Sequence, residues 1–211
     1  MEKIILIGGG GHCKVIIDAI TLGGRYRIVG ITDPRKDMKE RVCGVPVIGP
    51  DSALERYFKK GVRSCFLAIG TVRSEIARAK LYKRIAKFGF SFPNVIHPRA
   101  CVSKFAYLGE GNYVGPGAII NADAVVGDHC IINTGALVDH DCVIGDYVHV
   151  ATGVSMSAGV VVGEYAHIGT GSSIVQYVKI GGHVTIGAGS VVVCSTDKAG
   201  TYVGNPARRI K

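Results

Sequence analysis

From Ile96 onward every sixth residue is aliphatic or Met: Ile96, Val102, Leu108, Val114, Ile120, and so on without a break to Val192, seventeen positions in succession. An α-helix turns every 3.6 residues and would smear such a stripe around its axis. Hexads instead fit a β-solenoid in which a short strand and a turn alternate, with three flats per coil. In that reading the aliphatic side chain points inward. The small residue four positions on (Ala118, Ala124, Cys130, Ala136, Cys142) fills the corner. A Gly directly after the aliphatic (Gly109, Gly115, Gly127, Gly145) permits the turn. Seventeen hexads at three per coil give between five and six coils, a prism about 27 Å tall at the spacing of stacked strands. No insertion interrupts the run.

Composition agrees. Thirty Gly with no Trp and 7% aromatics suits a core of small residues, and 47% hydrophobic against 19% charged excludes wholesale disorder. No apolar run approaches the roughly 18 residues that a membrane span needs. Met1-Glu2-Lys3 runs directly into a strand-like segment, which is not the pattern of a signal peptide, so a cytoplasmic protein is expected. Seven Cys without a CxxC pair indicate neither a disulfide framework nor a zinc site. The net charge of +9 favours anionic partners. Its cations are spread over residues 25–41 and 56–84 and over Arg208-Arg209-Lys211, with few aromatics interleaved. That distribution suits phosphate-bearing small molecules, and a nucleic-acid partner is not expected.

The first half reads differently. Lys3–Ile7 has the character of a buried parallel strand and is followed by Gly8-Gly9-Gly10-Gly11-His12 and a helix over Cys13–Leu22. A second strand, Ile28–Asp33, ends in an acidic residue 22 positions after Gly11. Strand, Gly-rich turn, helix and strand with a terminal Asp form the layout of a nucleotide-binding βαβ unit, whose helix-start N–H groups suit a pyrophosphate. The fingerprint lacks its third Gly, which argues against an NAD site. A third strand, Ser64–Gly70, leads into a basic helix over about Glu75–Phe88, and Pro93, His97 and Pro98 punctuate the approach to the hexads. The expected organisation is a Rossmann-like domain over 1–92 followed by a β-helix domain over 93–211.

Taken together, the Gly8–His12 turn, Asp33, Ala68-Ile69-Gly70, the hexads, Val138-Asp139-His140-Asp141-Cys142 and the closing Gly204-Asn205-Pro206-Ala207-Arg208 resemble a known family over essentially the whole chain. It is the bacterial hexapeptide-repeat sugar acyltransferases, which include the UDP-4-amino-sugar N-acetyltransferases of the bacillosamine pathway and the sialic acid O-acetyltransferases. The resemblance implies an N-terminal Rossmann-like βαβ domain and a left-handed parallel β-helix; the hand comes from the resemblance alone, since generic chirality favours right-handed crossovers. It also implies a homotrimer with sites at subunit interfaces, a nucleotide-sugar substrate, and acetyl-CoA as co-substrate without a metal. Gly10, Gly11 and His12 would lie at the phosphates, Asp33 would face the uridine, and Ile69 and Gly70 would line the pocket.

Moving an acetyl group from a thioester to an amine or hydroxyl needs a base for the nucleophile's proton and a donor for the oxyanion. His140 stands at the third place of its hexad and His149 at the sixth place of the next, both where side chains leave the prism. The resemblance places the base at His140 with Asp141 as its carboxylate partner, Asp139 being the alternative. It places His149 near the thioester, and backbone N–H groups of Ala158 and Ala188 along the CoA arm. His167, eighteen after His149, stacks above it as a further polar contact. Nine residues separate His140 from His149, half of an 18-residue coil, so the two side chains of one chain belong to different faces. Cys130 and Cys142 sit at the inward corner, where a thiol is inert, which favours direct transfer over a cysteine-bound acyl group. A zinc-dependent prism enzyme needs two His five apart, a spacing absent among His129, His140, His149, His167 and His183. A sugar O-acetyltransferase and a non-catalytic sugar-nucleotide scaffold are the alternatives to amine acetylation.

Overall fold

The computed structural model describes residues 1–70 and 75–210; Lys211 of the C-terminal cation cluster lies outside the described residues. It comprises two compact units, Met1–Pro98 and Arg99–Lys211.

The first unit is built on a five-stranded sheet. Its strands are β1 (Glu2–Ile7), β2 (Tyr26–Thr32), β3 (Arg41–Val42), β4 (Val45–Gly49) and β5 (Ser64–Leu67), in the order β3-β4-β2-β1-β5. All neighbours are parallel except β3 and β4, an antiparallel hairpin. That hairpin was not read from the sequence. Its signal is Cys43-Gly44, whose φ values of 47° and 80° make the two-residue turn that suits strand twist. Among the described residues three α-helices accompany the sheet: α1 (Gly11–Gly23), α2 (Leu54–Lys59) and α3 (Glu75–Ala86). Strand alternation sends Ile5 and Ile7 of β1 into one core with Leu54 of α2 and Ile85 of α3. Ile4 and Leu6, of opposite parity, are also fully buried.

The second unit is the expected left-handed parallel β-helix. Its strands are almost all two residues long and stack in three sheets. From Cys101–Val102 to Ser173–Ile174 each pairs in parallel with the strand eighteen residues on, as Ile119 does with Leu137 and Ile131 with His149. At the C-terminal end Val184–Ile186 pairs with Gly200–Val203 sixteen residues on, and the latter pairs antiparallel with Arg208–Arg209. The aliphatic stripe is fully buried from Val114 to Met156 and almost so up to Val192. Val102 and Leu108 in the first winding are half-buried, having a winding on one side only. Ile96, 40% exposed, departs from the inward orientation expected of it.

A second departure concerns the turns. From Gly111 to Gly189 every sixth residue has φ between 55° and 68°, and it lies three positions after the aliphatic, not one. Half of these corner positions are Gly; the others are Asp123, His129, Asp141, Tyr147, Tyr165, Tyr177 and His183. The Gly that follows the aliphatic serves instead as a spacer. A Cβ on Gly145 would lie 2.7 Å from the Glu164 nitrogen, and one on Gly163 would lie 2.4 Å from the Gly182 nitrogen. Adjacent windings therefore approach too closely there for any side chain. His129, Tyr147, Tyr165 and His183 form a column of stacked rings at one corner, with centroids 5.0–5.2 Å apart.

Candidate active site

In the first unit, β1 carries the glycines to the start of α1, which begins at Gly11, two residues earlier than the sequence suggests. Gly8 has φ +97°, and a Cβ there would lie 2.2 Å from Ile69 Cγ2, so Ile69 packs against bare backbone. Gly10 is the N-cap. It provides no side-chain cap, and the first turn of α1 holds no acidic residue. At Gly10 and Gly11 a Cβ would meet open space. A helix start this bare of side chains suits an anion.

Beside them is a cavity of about 560 Å³. All six residues named from the sequence, Gly10, Gly11, His12, Asp33, Ile69 and Gly70, line it. Asp33, whose side chain is only 2% exposed, follows β2 and accepts hydrogen bonds from the backbone N–H groups of Gly9 (2.9 Å) and Arg35 (2.9 Å) and from Arg35 Nε (3.3 Å). Burial pushes its carboxyl up, but the bonds from Arg35 and Gly9 outweigh burial and hold it below the ordinary carboxylate value. Burial, and then the nearby Arg78 charge, lower the His12 imidazole to about 4, so His12 is neutral near pH 7. Sequence reasoning missed Arg35, Asp51 and Arg84 on the cavity wall. Asp51 accepts from Thr32 Oγ1 (2.9 Å) and pairs with Arg84 of α3. The partners lie 33 positions apart, a juxtaposition that no local pattern announces.

In the prism, His140 and Asp141 follow the strand Leu137–Val138 in an exposed turn, with 53% and 62% of their side chains accessible. Asp141 is one of the corner residues, φ 61°. Asp is among the few side chains that adopt this conformation readily, and the corner swings its carboxylate back to the preceding ring. Nδ1 of His140 lies 2.6 Å from Asp141 Oδ2. Asp139 is engaged differently. Its Oδ1 accepts from the His140 backbone N–H (2.8 Å) and from Asn121 Nδ2 (2.8 Å), pinning the turn from below. The Asp141 bond raises the imidazole pKa, slight desolvation opposes it, and the charges of Asp139, Asp141 and Asp123 add to the rise. With Nδ1 held by a carboxylate, the lone pair on Nε2 is the one available to a substrate proton.

His149 begins the strand His149–Val150 in a different sheet from Leu137–Val138. Val150 enters the core and His149 leaves the prism wall, as expected. Yet it is only 9% exposed, unlike the outward imidazole inferred from its place in the hexad. It is covered by its column: Ile131 and His167 are its rung neighbours, the His167 ring stands edge-on at 4.8 Å, and Asn133 Nδ2 lies 3.2 Å from Nε2. Ala158 stacks above His140, where Gly159 donates its backbone N–H to the His140 carbonyl (3.0 Å). Ala188 is an exposed turn residue. Among the described residues the N–H groups of Ala158 and Ala188 donate to no backbone acceptor. Cys130 and Cys142 are buried, with sulfurs 3.1 and 3.3 Å from the carbonyls of Gly145 and Ser157, and burial raises the Cys142 thiol. Among the described residues no group of three or more His, Cys, Asp or Glu is arranged to hold a metal ion.

The chain is similar to known proteins in both of its units. The PglD N-terminal domain family matches residues 3–85, and the bacterial transferase hexapeptide family (six repeats) matches residues 105–140. The crystal structure of PerB from Caulobacter crescentus, in complex with CoA and GDP-perosamine, is 40% identical, with a TM-score of 0.92 over 100% of this chain and 98% of that one. The acetyltransferase domain of PglB from Neisseria gonorrhoeae is 36% identical over 100% of both chains, with a TM-score of 0.92. A UDP-N-acetylbacillosamine N-acetyltransferase of Bacillus subtilis (strain 168) is 38% identical over 115 residues, which are 54% of this chain and 51% of that relative. The match thus spans about half the length of the curated relative. Identity of 40% across a whole chain, in a fold with both halves in the same order, means that this protein belongs to the bacterial hexapeptide-repeat sugar acyltransferases that carry a PglD N-terminal domain.

Proposed function

We propose that this protein transfers the acetyl group of acetyl-CoA to the amine of a nucleotide-linked 4-amino-4,6-dideoxy sugar, for bacterial surface glycan synthesis. The observation that carries the reading is the 2.6 Å contact between His140 Nδ1 and Asp141 Oδ2 on an exposed turn. An imidazole so held acts as a general base through Nε2. The sugar amine attacks the thioester carbonyl as His140 takes its proton. The amide bond forms, the carbon–sulfur bond breaks, and the proton passes from His140 to the departing CoA thiolate. The chain supplies no acyl carrier at Cys130 or Cys142, which favours a ternary complex over a covalent intermediate.

In this reading the domain over 1–92 holds the nucleotide. The diphosphate lies against the N–H groups at Gly10 and Gly11 beside a neutral His12, with Asp33, Ile69 and Gly70 around the rest of the nucleotide. The domain over 93–211 holds acetyl-CoA, with His149 near the thioester, Ala158 and Ala188 offering N–H groups to the CoA arm, and His167 as a further contact. His140 follows the strand Leu137–Val138 of one sheet, and His149 lies in a strand of another sheet of the same prism. A single site that uses both draws them from neighbouring subunits, which is the reason to propose a homotrimer. A cytoplasmic location, where acetyl-CoA and nucleotide sugars are both made, completes the proposal.

The test is thiol release from acetyl-CoA in the presence of UDP-, dTDP- and GDP-linked 4-amino sugars, with free sialic acid alongside. Turnover with one of the nucleotide amino sugars is expected. Turnover with sialic acid alone would replace the reading by O-acetylation, and no thiol release with any of them would leave a binding scaffold.

A further inference from the structure

The charge of this protein is not shared between its two units. Residues 1–98 hold 18 Lys and Arg against 8 Asp and Glu, a net +10; residues 99–211 hold 7 against 8, a net −1. The nucleotide cavity draws on two of these cations, Arg35 and Arg84. Most of the others are elsewhere, and many cluster on α2 and α3. The two helices pack on the same side of the sheet through Leu54, Tyr57, Phe58, Leu81, Tyr82 and Ile85. Their outer sides are therefore neighbours, and they present Arg56, Lys59, Lys60, Lys80, Lys83 and Lys87, all exposed. Arg63, just after α2, is exposed too. Among the described anions on this side, Glu55 pairs with Lys59 (2.7 Å) and Asp51 is engaged by Arg84.

We infer that this two-helix face docks on an anionic lipid bilayer. Two features favour a bilayer over a nucleic acid or an acidic protein. The cations are mostly Lys, mobile point charges suited to a delocalised negative surface, where Arg forks would mark a specific carboxylate or phosphate partner. The aromatic rings are engaged: Arg56 lies 5.2 Å and Lys60 6.0 Å over the Tyr57 ring, Arg63 lies 4.3 Å over the Phe58 ring, and both rings pack into the core. They are not presented as platforms for stacked bases.

The experiment is co-sedimentation of the full chain with vesicles of phosphatidylcholine alone, and with vesicles carrying about one quarter phosphatidylglycerol. Binding is expected only to the second kind, and should weaken at least about tenfold between low and high salt. The variant Arg56→Gln/Lys59→Gln/Lys60→Gln/Lys83→Gln should lose about tenfold or more of this binding while its circular dichroism and Tm stay at wild type. Lys3→Gln/Lys14→Gln/Arg25→Gln/Arg27→Gln removes the same charge from elsewhere in the unit and should retain most of it. Equal binding to neutral vesicles, equal loss in both variants, or binding to duplex DNA but not to vesicles would overturn the inference. None of these outcomes depends on acetyl transfer.

Discussion

In the proposed mechanism His140 acts only if its ring is held and its Nε2 faces a substrate. Replacement by Ala should lower kcat by about 10²–10⁴-fold with little change in the assembled state, measured by thiol release and sedimentation. Asp141 gives a finer test. Because the base must be unprotonated, a raised pKa places the acid limb of the kcat/KM profile at higher pH. Asp141→Asn removes the main cause of the rise, so the limb should move down toward the ordinary imidazole value of about 6.5 while the plateau falls. A limb that stays in place would show that Asp141 does not govern this ring. The choice between Asp139 and Asp141 was not legible in the sequence, since both flank His140. It depends on a backbone angle: Asp141 sits at a left-handed corner and Asp139 does not. The burial of His149 was illegible for a related reason. A hexad position tells which way a side chain leaves the prism, but not what the neighbouring rungs place over it.

At the scale of the element, the repeat separates two uses of glycine that look alike in sequence. Gly163→Ala should destabilise the prism by about 1–3 kcal/mol, because its Cβ would lie 2.4 Å from the Gly182 nitrogen. Gly153→Ala meets nothing within 4 Å but must hold φ 65°, and should cost about 1 kcal/mol. Denaturant unfolding of the two variants distinguishes them, and the reverse order would refute the spacer role. The hexads were readable because each aliphatic fills the same place in the core at the same interval. The α2 helix, Leu54–Lys59, was missed because six residues are under two turns, too few for a helical period to emerge. The glycine turn after β1 was readable as chemistry, whereas its partners Asp51 and Arg84 arrive through packing alone.

For the whole molecule, the separation of the His140 turn from the sheet that holds His149 makes association a condition of activity in the proposed mechanism. Chains carrying His140→Ala and chains carrying His149→Ala, each impaired, should recover activity when unfolded and reassembled together. With random mixing at equal amounts, about a quarter of the interfaces would hold both wild-type side chains. Recovery of nothing would mean that one chain supplies both. The ladder itself limits how such a protein can change in length. From Cys101–Val102 to Ser173–Ile174 every rung is answered by one eighteen residues further on. Loss of a single hexad would rotate all later residues by a third of a revolution and carry each side chain to the wrong wall. Excision of a complete storey would leave the column shorter and every wall intact. Variation in height among such prisms should therefore arrive in whole storeys.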